Sequence, residues 1–215
     1  MIARVKEAIL RAVIKLSWVG QRHGWNWLTY HPGVFAFFHW AALRQAPTVV
    51  PALLDTFPDS SFADVGAGTG VYAAALQRAG RPVLACEHSR MGRVAARAQG
   101  VRCVSFDLTT PNPAPLSRRA DVAFSFEVAE HLPEALGPRL VSFMLDLAPT
   151  VVFSAAQPGQ GGHGHINEQP LEYWTAAFER AGARLDDGAT ATLRRRFDGT
   201  GFGWLPSNSQ VFRRA

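Results

Sequence analysis

Asp64-Val65-Gly66-Ala67-Gly68-Thr69-Gly70 follows a short apolar run, Phe62–Val65, and leads straight into a segment with helical spacing. Glycines at alternate positions let the backbone turn sharply and let a ligand approach with no Cβ in the way. A helix starting there adds unpaired N–H groups and a partial positive charge, which suit a carboxylate. The spacing argues against two nucleotide sites. A dinucleotide fingerprint, G-x-G-x-x-G, would put its third glycine at position 71, which is Val71. A phosphate loop needs Lys followed by Ser or Thr, and neither is present.

Outward from this loop the chain alternates two periodicities. Short apolar runs at 62–65, 83–86, 101–106, 122–126 and 151–154 read as strands, and the stretches 71–79, 90–98, 134–148 and 170–182 read as helices. Such alternation implies a parallel sheet with helices on both faces, a doubly wound α/β fold. The tail departs from the rhythm: 184–197 and 210–214 read as two further strands with no helix between them. Two acids fall at strand ends. Glu87 closes the second strand, 21 residues after Gly66, where a carboxylate can accept both hydroxyls of a ribose. Asp107 closes the third, with Leu108 beside it. An acid there can take an adenine amino hydrogen while the leucine packs on the ring. Open α/β sheets bind ligands at that edge.

Asp64–Gly70, Glu87, Phe106-Asp107-Leu108 and the run 121–132, with Glu127, Glu130 and His131, resemble the ordered motifs of class I S-adenosylmethionine-dependent methyltransferases. The resemblance covers about residues 60–214. It implies a Rossmann-like seven-stranded sheet of order 3-2-1-4-5-7-6 with the last strand antiparallel. It also implies S-adenosylmethionine as cofactor, held by Asp64, Gly66, Ala67, Gly68 and Gly70, with Glu87 on the ribose, Asp107 and Leu108 on the adenine, and Glu127 near the methionine end or the acceptor. On this reading residues 59–215 are the cofactor-binding domain, and residues 1–58 are a helical extension or lid within it.

Two segments carry candidate chemistry. Glu127-Val-Ala-Glu130-His131 ends the fourth strand, and its spacing resembles the metal-binding motif of small-RNA and ubiquinone-pathway O-methyltransferases. Glu127, Glu130, His131 and a further histidine, His165, would make a divalent-metal set. The same pattern occurs without metal, with the histidine packing locally, and a metal is not the favoured expectation. The second segment, 156–170, is a glycine-rich loop with His163, His165, Asn167 and several glutamines, followed by Pro170 opening a helix. His165 is the expected base, with His131 and Glu127 as companions. A solvated polar loop is the alternative.

Composition bounds the rest. Apolar residues make up 47% and charged residues 18% of 215, which places the chain among globular proteins. The net charge of +5 is concentrated: Arg4, Lys6, Arg11, Lys15 and Arg22 oppose Glu7 before residue 23. The rest is near neutral, which argues against a nucleic-acid partner. Residues 1–19 read as an amphipathic helix that packs on the body, lids a pocket or lies on an anionic membrane surface. Residues 23–42 carry Trp25, Trp27, Tyr30, Phe35, Phe37, Phe38 and Trp40, either core or the wall of an acceptor pocket. Cys86 and Cys103 lie in strand-like runs and read as buried thiols of a reducing compartment. With no signal-peptide pattern and no apolar span long enough for a membrane, the cytoplasm is the expected location. The leading expectation is methyl transfer to a small molecule, at oxygen, on a sugar or secondary metabolite. The alternatives are a metal-dependent RNA 2′-O-methyltransferase and a non-catalytic cofactor-binding protein on the same fold.

Overall fold

The computed structural model describes Val19, His23 and residues 32–111, 113, 120–198, 201 and 203–215. The expected helix at 1–19 and the aromatic residues Trp25, Trp27 and Tyr30 lie outside them, Val19 excepted. A long helix, α1 (Pro32–Thr56), precedes the first strand, β1 (Phe62–Val65). There follow α2 (Val71–Arg78), β2 (Val83–Glu87), α3 (Arg90–Ala98), β3 (Cys103–Ser105) and β4 (Val122–Phe126). Two short 3₁₀ turns lead to α4 (Gly137–Leu147), β5 (Thr150–Ser154), α5 (Leu171–Arg180) and β6 (Ala183–Leu185). The chain ends with α6 (Asp187–Phe197), α7 (Trp204–Asn208) and β7 (Gln210–Arg214).

The seven strands form one sheet in the order β3-β2-β1-β4-β5-β7-β6. The strands β1 to β5 pair in parallel, while β7 runs antiparallel to both β5 and β6. This is the Rossmann-like order implied by the motifs. Side-chain alternation divides the core between two faces. Ala63, Val65, Ala123, Val151, Phe153 and Phe212 pack with Leu140 and Met144 of α4 and Trp174 and Phe178 of α5. On the other face, Phe62, Val122, Phe124, Val152 and Val211 pack with Val49 and Leu53 of α1, Leu76 of α2, and Leu193 and Phe197 of α6. Helix α1 therefore shares a layer with α2 and α6.

The tail corrects the sequence expectation. Of 184–197, only the first residues are strand, within β6, and the remainder is α6. Asp186 caps this helix, its carboxylate accepting from the Ala189 N–H at 2.8 Å. The buried Thr190, Leu193 and Phe197 recur at helical spacing, and Arg194, Arg195 and Arg196 complement the C-terminal dipole. Elsewhere the expected helix at 134–148 begins as a 3₁₀ turn, Glu134–Leu136, and the strand expected at 101–106 shortens to Cys103–Ser105. Among the described residues, no helix is long and apolar enough to cross a membrane.

Candidate functional site

Register brings the C-terminal ends of β1, β2 and β4 together: Val65 lies opposite Cys86, and Asp64 opposite Phe124. The glycine loop, Glu87 and Glu127 therefore share one edge. All three loop glycines have positive φ, +78°, +53° and +75°. They differ in what a side chain would meet. A Cβ at Gly66 would lie 2.5 Å from Val128 and one at Gly70 2.7 Å from Ala96, whereas one at Gly68 would meet nothing within 4 Å. Gly66 and Gly70 thus allow close packing, and Gly68 faces open space. The loop is also clamped from outside. The Thr69 hydroxyl shares a hydrogen bond with His39 of α1 at 3.0 Å, and the Gln99 amide donates to the Thr69 carbonyl.

Glu87 is 8% exposed, and its carboxylate accepts from the Gly68 N–H at 2.8 Å and the Ser89 N–H at 2.6 Å. Burial raises its pKa, opposed by those two backbone bonds. Asp64 is nearly fully buried, and one of its carboxylate oxygens has no hydrogen-bond partner among the described residues. Burial, reinforced by the Glu87 charge, pushes its carboxyl up to about 8. Asp107 is half-buried, accepts from the Thr109 N–H at 2.9 Å and hydroxyl at 2.7 Å, and those bonds hold it below the usual carboxylate range. The Leu108 side chain is buried in the same core cluster as Phe106 and Phe143. Gly92 of α3, which the sequence reading passed over, belongs to this region: a Cβ there would come within 2.6 Å of the Gly68 carbonyl and 2.8 Å of Glu87. Its only sequence signal is a glycine in the first turn of a helix.

Glu127 sits at φ +53°, a left-handed conformation rare for a residue with a side chain. Its carboxylate accepts from the Ser154 hydroxyl and the Gln160 amide, each at 2.9 Å, and from the Asn208 amide at 3.3 Å. Asn208 also donates to Gln160 at 2.8 Å and accepts from Gln157 at 2.9 Å. The result is a polar floor at the ends of β4 and β5. Ser154 and Asn208 were not among the sequence candidates. Asn208 lies far along the chain, in the short polar run Ser207-Asn208-Ser209-Gln210, which matches no motif used in the sequence reading.

Three of the four candidate metal ligands converge beside that floor, and Glu127 is not one of them. Glu130, His131 and His165 each offer a ligand atom, all within 4.8 Å of one another. Glu130 is fully buried, with no well-aligned hydrogen bond to either carboxylate oxygen from a described residue, while the main-chain groups of Glu130 and Ala156 and the Glu127 carboxyl lie close beside it. Burial, then the neighbouring Glu127 charge, raises its pKa well above the carboxylate range. His165 Nδ1 lies 2.8 Å from the Glu168 carboxylate, and its Nε2 lies 4.0 Å from Glu130. His131 Nδ1 donates to the Gly164 carbonyl at 3.2 Å, and its ring meets that of His165 edge-on at 5.1 Å. Burial and the His165 ring push His131 down to about 4. A buried carboxylate beside two imidazoles has the donor chemistry of a divalent-cation site. His163, on the same loop, lies 6.3 Å from the Phe38 ring of α1.

Residues 63–141 match the family described as "Methyltransferase domain". Comparison with curated proteins gives no significant match. Among solved structures, the chain is similar to a sugar N-methyltransferase from Streptoalloteichus, with a TM-score of 0.59, 18% identity, and 80% of this chain and 87% of that one covered. It is also similar to an amino pentose methyltransferase from Micromonospora echinaspora, with 0.60, 18%, 86% and 98% in the same order. A TehB-like SAM-dependent methyltransferase from Corynebacterium glutamicum gives 0.63, 15%, 86% and 100%. At these identities the likeness is one of fold. The chain thus joins a methyltransferase-domain match over residues 63–141 to the fold of class I S-adenosylmethionine-dependent methyltransferases.

Proposed function

We propose that this protein binds S-adenosylmethionine and transfers its methyl group to a hydroxyl of a small molecule, a sugar or a secondary metabolite. The observation that carries the reading is Gly68, whose α-carbon faces open space while its N–H is tied to the buried Glu87 carboxylate. A ligand can lie against the main chain there, beside an acid suited to ribose hydroxyls. Asp107 serves the adenine amino group. Asp64, Gly66, Ala67 and Gly70 shape the cradle for the methionine portion. The bound cofactor supplies an activated methyl group on a sulfonium, open to in-line displacement by the acceptor oxygen.

The chain's own task is then to orient the acceptor, exclude water and receive its proton. A floor of Glu127, Gln157, Gln160 and Asn208 offers several donors and acceptors side by side, which suits a polyhydroxylated compound. Two similar structures, named as a sugar N-methyltransferase and an amino pentose methyltransferase, support a sugar as the acceptor, and the hydroxyl is our own assignment. We assign proton acceptance to Glu127, whose carboxylate stands within that floor at the ends of β4 and β5. Calorimetric titration with S-adenosylmethionine and with NAD tests the cofactor, and tighter NAD binding would overturn the reading. Turnover on a panel of sugars, amino sugars and phenols, followed by release of the demethylated cofactor, tests the acceptor. Glu127→Gln should lower kcat roughly 100-fold with a smaller change in KM. An unchanged kcat would remove Glu127 from proton transfer.

A further inference from the structure

Three of the five residues at 66–70 are glycines held at positive φ, a conformation that a free chain adopts only part of the time. Fixing it costs conformational entropy, and a ligand that has to order the loop loses that amount from its affinity. The grip on the loop from outside falls on Thr69, which is 6% exposed. Its carbonyl accepts from the amide of Gln99, the C-cap of α3, and its hydroxyl meets His39 Nδ1 of α1 at 3.0 Å. Main chain and side chain of Thr69 are thus held from two different helices. Next to it, Gly68 keeps its N–H on Glu87 and its α-carbon toward open space. His39 stands 30 positions before Thr69 and outside the residues 63–141 that match the family. Helix α1 does not depend on His39 for its own place. Val49 and Leu53 pack in one core cluster with Leu76 of α2, and the Tyr72 hydroxyl of α2 donates to the buried Gln45. His39 therefore reaches the loop from a rigid support, as a group that orients another residue must.

We propose that His39 is a positioning residue for S-adenosylmethionine, holding Gly66–Gly70 through Thr69 in the conformation that receives the cofactor before the cofactor arrives. The assignment rests on the proposed cofactor and places part of its affinity in a residue outside the matched motifs. It needs no acceptor and no turnover to be tested. The contact is a single hydrogen bond between a ring nitrogen and a hydroxyl, so its removal should weaken binding roughly 3- to 10-fold. An asparagine at position 39 offers an amide donor and acceptor the same number of bonds from the α-carbon as Nδ1, and can rebuild the bond. Valine at position 69 keeps the shape of threonine and removes the hydroxyl, so it breaks the same bond from the loop side.

The full chain is titrated by calorimetry with S-adenosylmethionine and with its demethylated product, beside His39→Ala, His39→Asn, Thr69→Val and the double variant of His39→Ala with Thr69→Val. Thermal midpoints are measured without ligand. His39→Ala and Thr69→Val should each weaken both ligands roughly 3- to 10-fold. The double variant should bind no worse than the weaker of the two single ones, because both remove one bond. His39→Asn should restore most of the affinity. A role in packing alone would lower the ligand-free midpoint and leave the folded protein's affinity where it was. If His39→Ala folds poorly, Thr69→Val and His39→Asn still read the bond. Affinity that either His39→Ala or Thr69→Val leaves unchanged overturns the proposal, and so do losses that add in the double variant, while the cofactor assignment stands. Failure of the unaltered protein to bind either ligand overturns both.

Discussion

Gly66 and Gly68 have the same kind of backbone and opposite surroundings. Both have positive φ, so alanine at either costs about 1–2 kcal/mol from the left-handed conformation alone. At Gly66 the new methyl also meets Val128 at 2.5 Å, while at Gly68 it meets only open space. Gly66→Ala should therefore lower the urea midpoint clearly more than Gly68→Ala, whose main effect should be on cofactor affinity by calorimetry. Equal stability losses would mean that the Gly66–Val128 contact is not tight. Asp64 makes a second prediction at this scale. Its carboxyl is raised from 3.8 to about 8, chiefly by burial and then by Glu87, so the folded state favours the protonated form. That stabilisation is fully present below the ordinary value and is lost as pH rises through the folded one. The ligand-free protein's melting temperature should fall between about pH 4 and pH 8, and Asp64→Asn should flatten that fall. Parallel profiles for the two proteins would refute it.

Helix α6 shows how local chemistry overrides a strand-like composition. Thr190, Thr192 and Phe197 favour extended structure, yet Asp186 caps the first turn and three arginines close the last. Asp186 also pairs with Arg213 of β7 at 2.6 Å, joining the helix start to the reversed strand. Asp186→Ala removes the cap and should cost about 1 kcal/mol in chemical denaturation. Asp186→Asn keeps a capping oxygen and gives up only an exposed ion pair, so it should stay close to the original stability. If the two variants lose equal amounts, the ion pair rather than the cap holds the helix.

Across the whole molecule, the antiparallel β7 is the last strand in the sequence and an interior strand of the sheet. It enters between β5 and β6, and the ring of Phe212 stacks on that of Phe178 of α5, 3.9 Å between centroids and 10° from parallel. Phe153 of β5 packs against both Phe178 and Trp174 at 5.4 and 4.9 Å. Phe212→Ala opens a cavity under α5 and should cost about 3–5 kcal/mol. A loss below about 1 kcal/mol, measured by urea unfolding, would mean that the layer can collapse around the gap.

The strand–helix rhythm, the glycine loop and the acids at positions 87, 107 and 127 were legible in the sequence because each is a local pattern: a period of two or of 3.6, a turn that demands positive φ, a charge at a strand end. The resemblance to known motifs extended that reading to the sheet order. Helix α6 was legible in principle, from Asp186 and the spacing of Thr190, Leu193 and Phe197, but strand-like composition masked it. What the sequence could not settle is which distant side chains meet. Asn208 reaches Glu127 across 81 positions because β7 is inserted beside β5, and Gly92 lets α3 close on the glycine loop because two segments cross there. His165 joins Glu130 and His131 through two main-chain bonds that a glycine-rich loop makes only when folded back. Such contacts depend on register and loop path, which are properties of the assembled core. The sequence thus determined the strand ends that carry Gly66–Gly70, Glu87 and Asp107, and only the tertiary structure, through register and loop path, decided that Asn208 and Gln160 meet Glu127 while His165 meets Glu130 and His131.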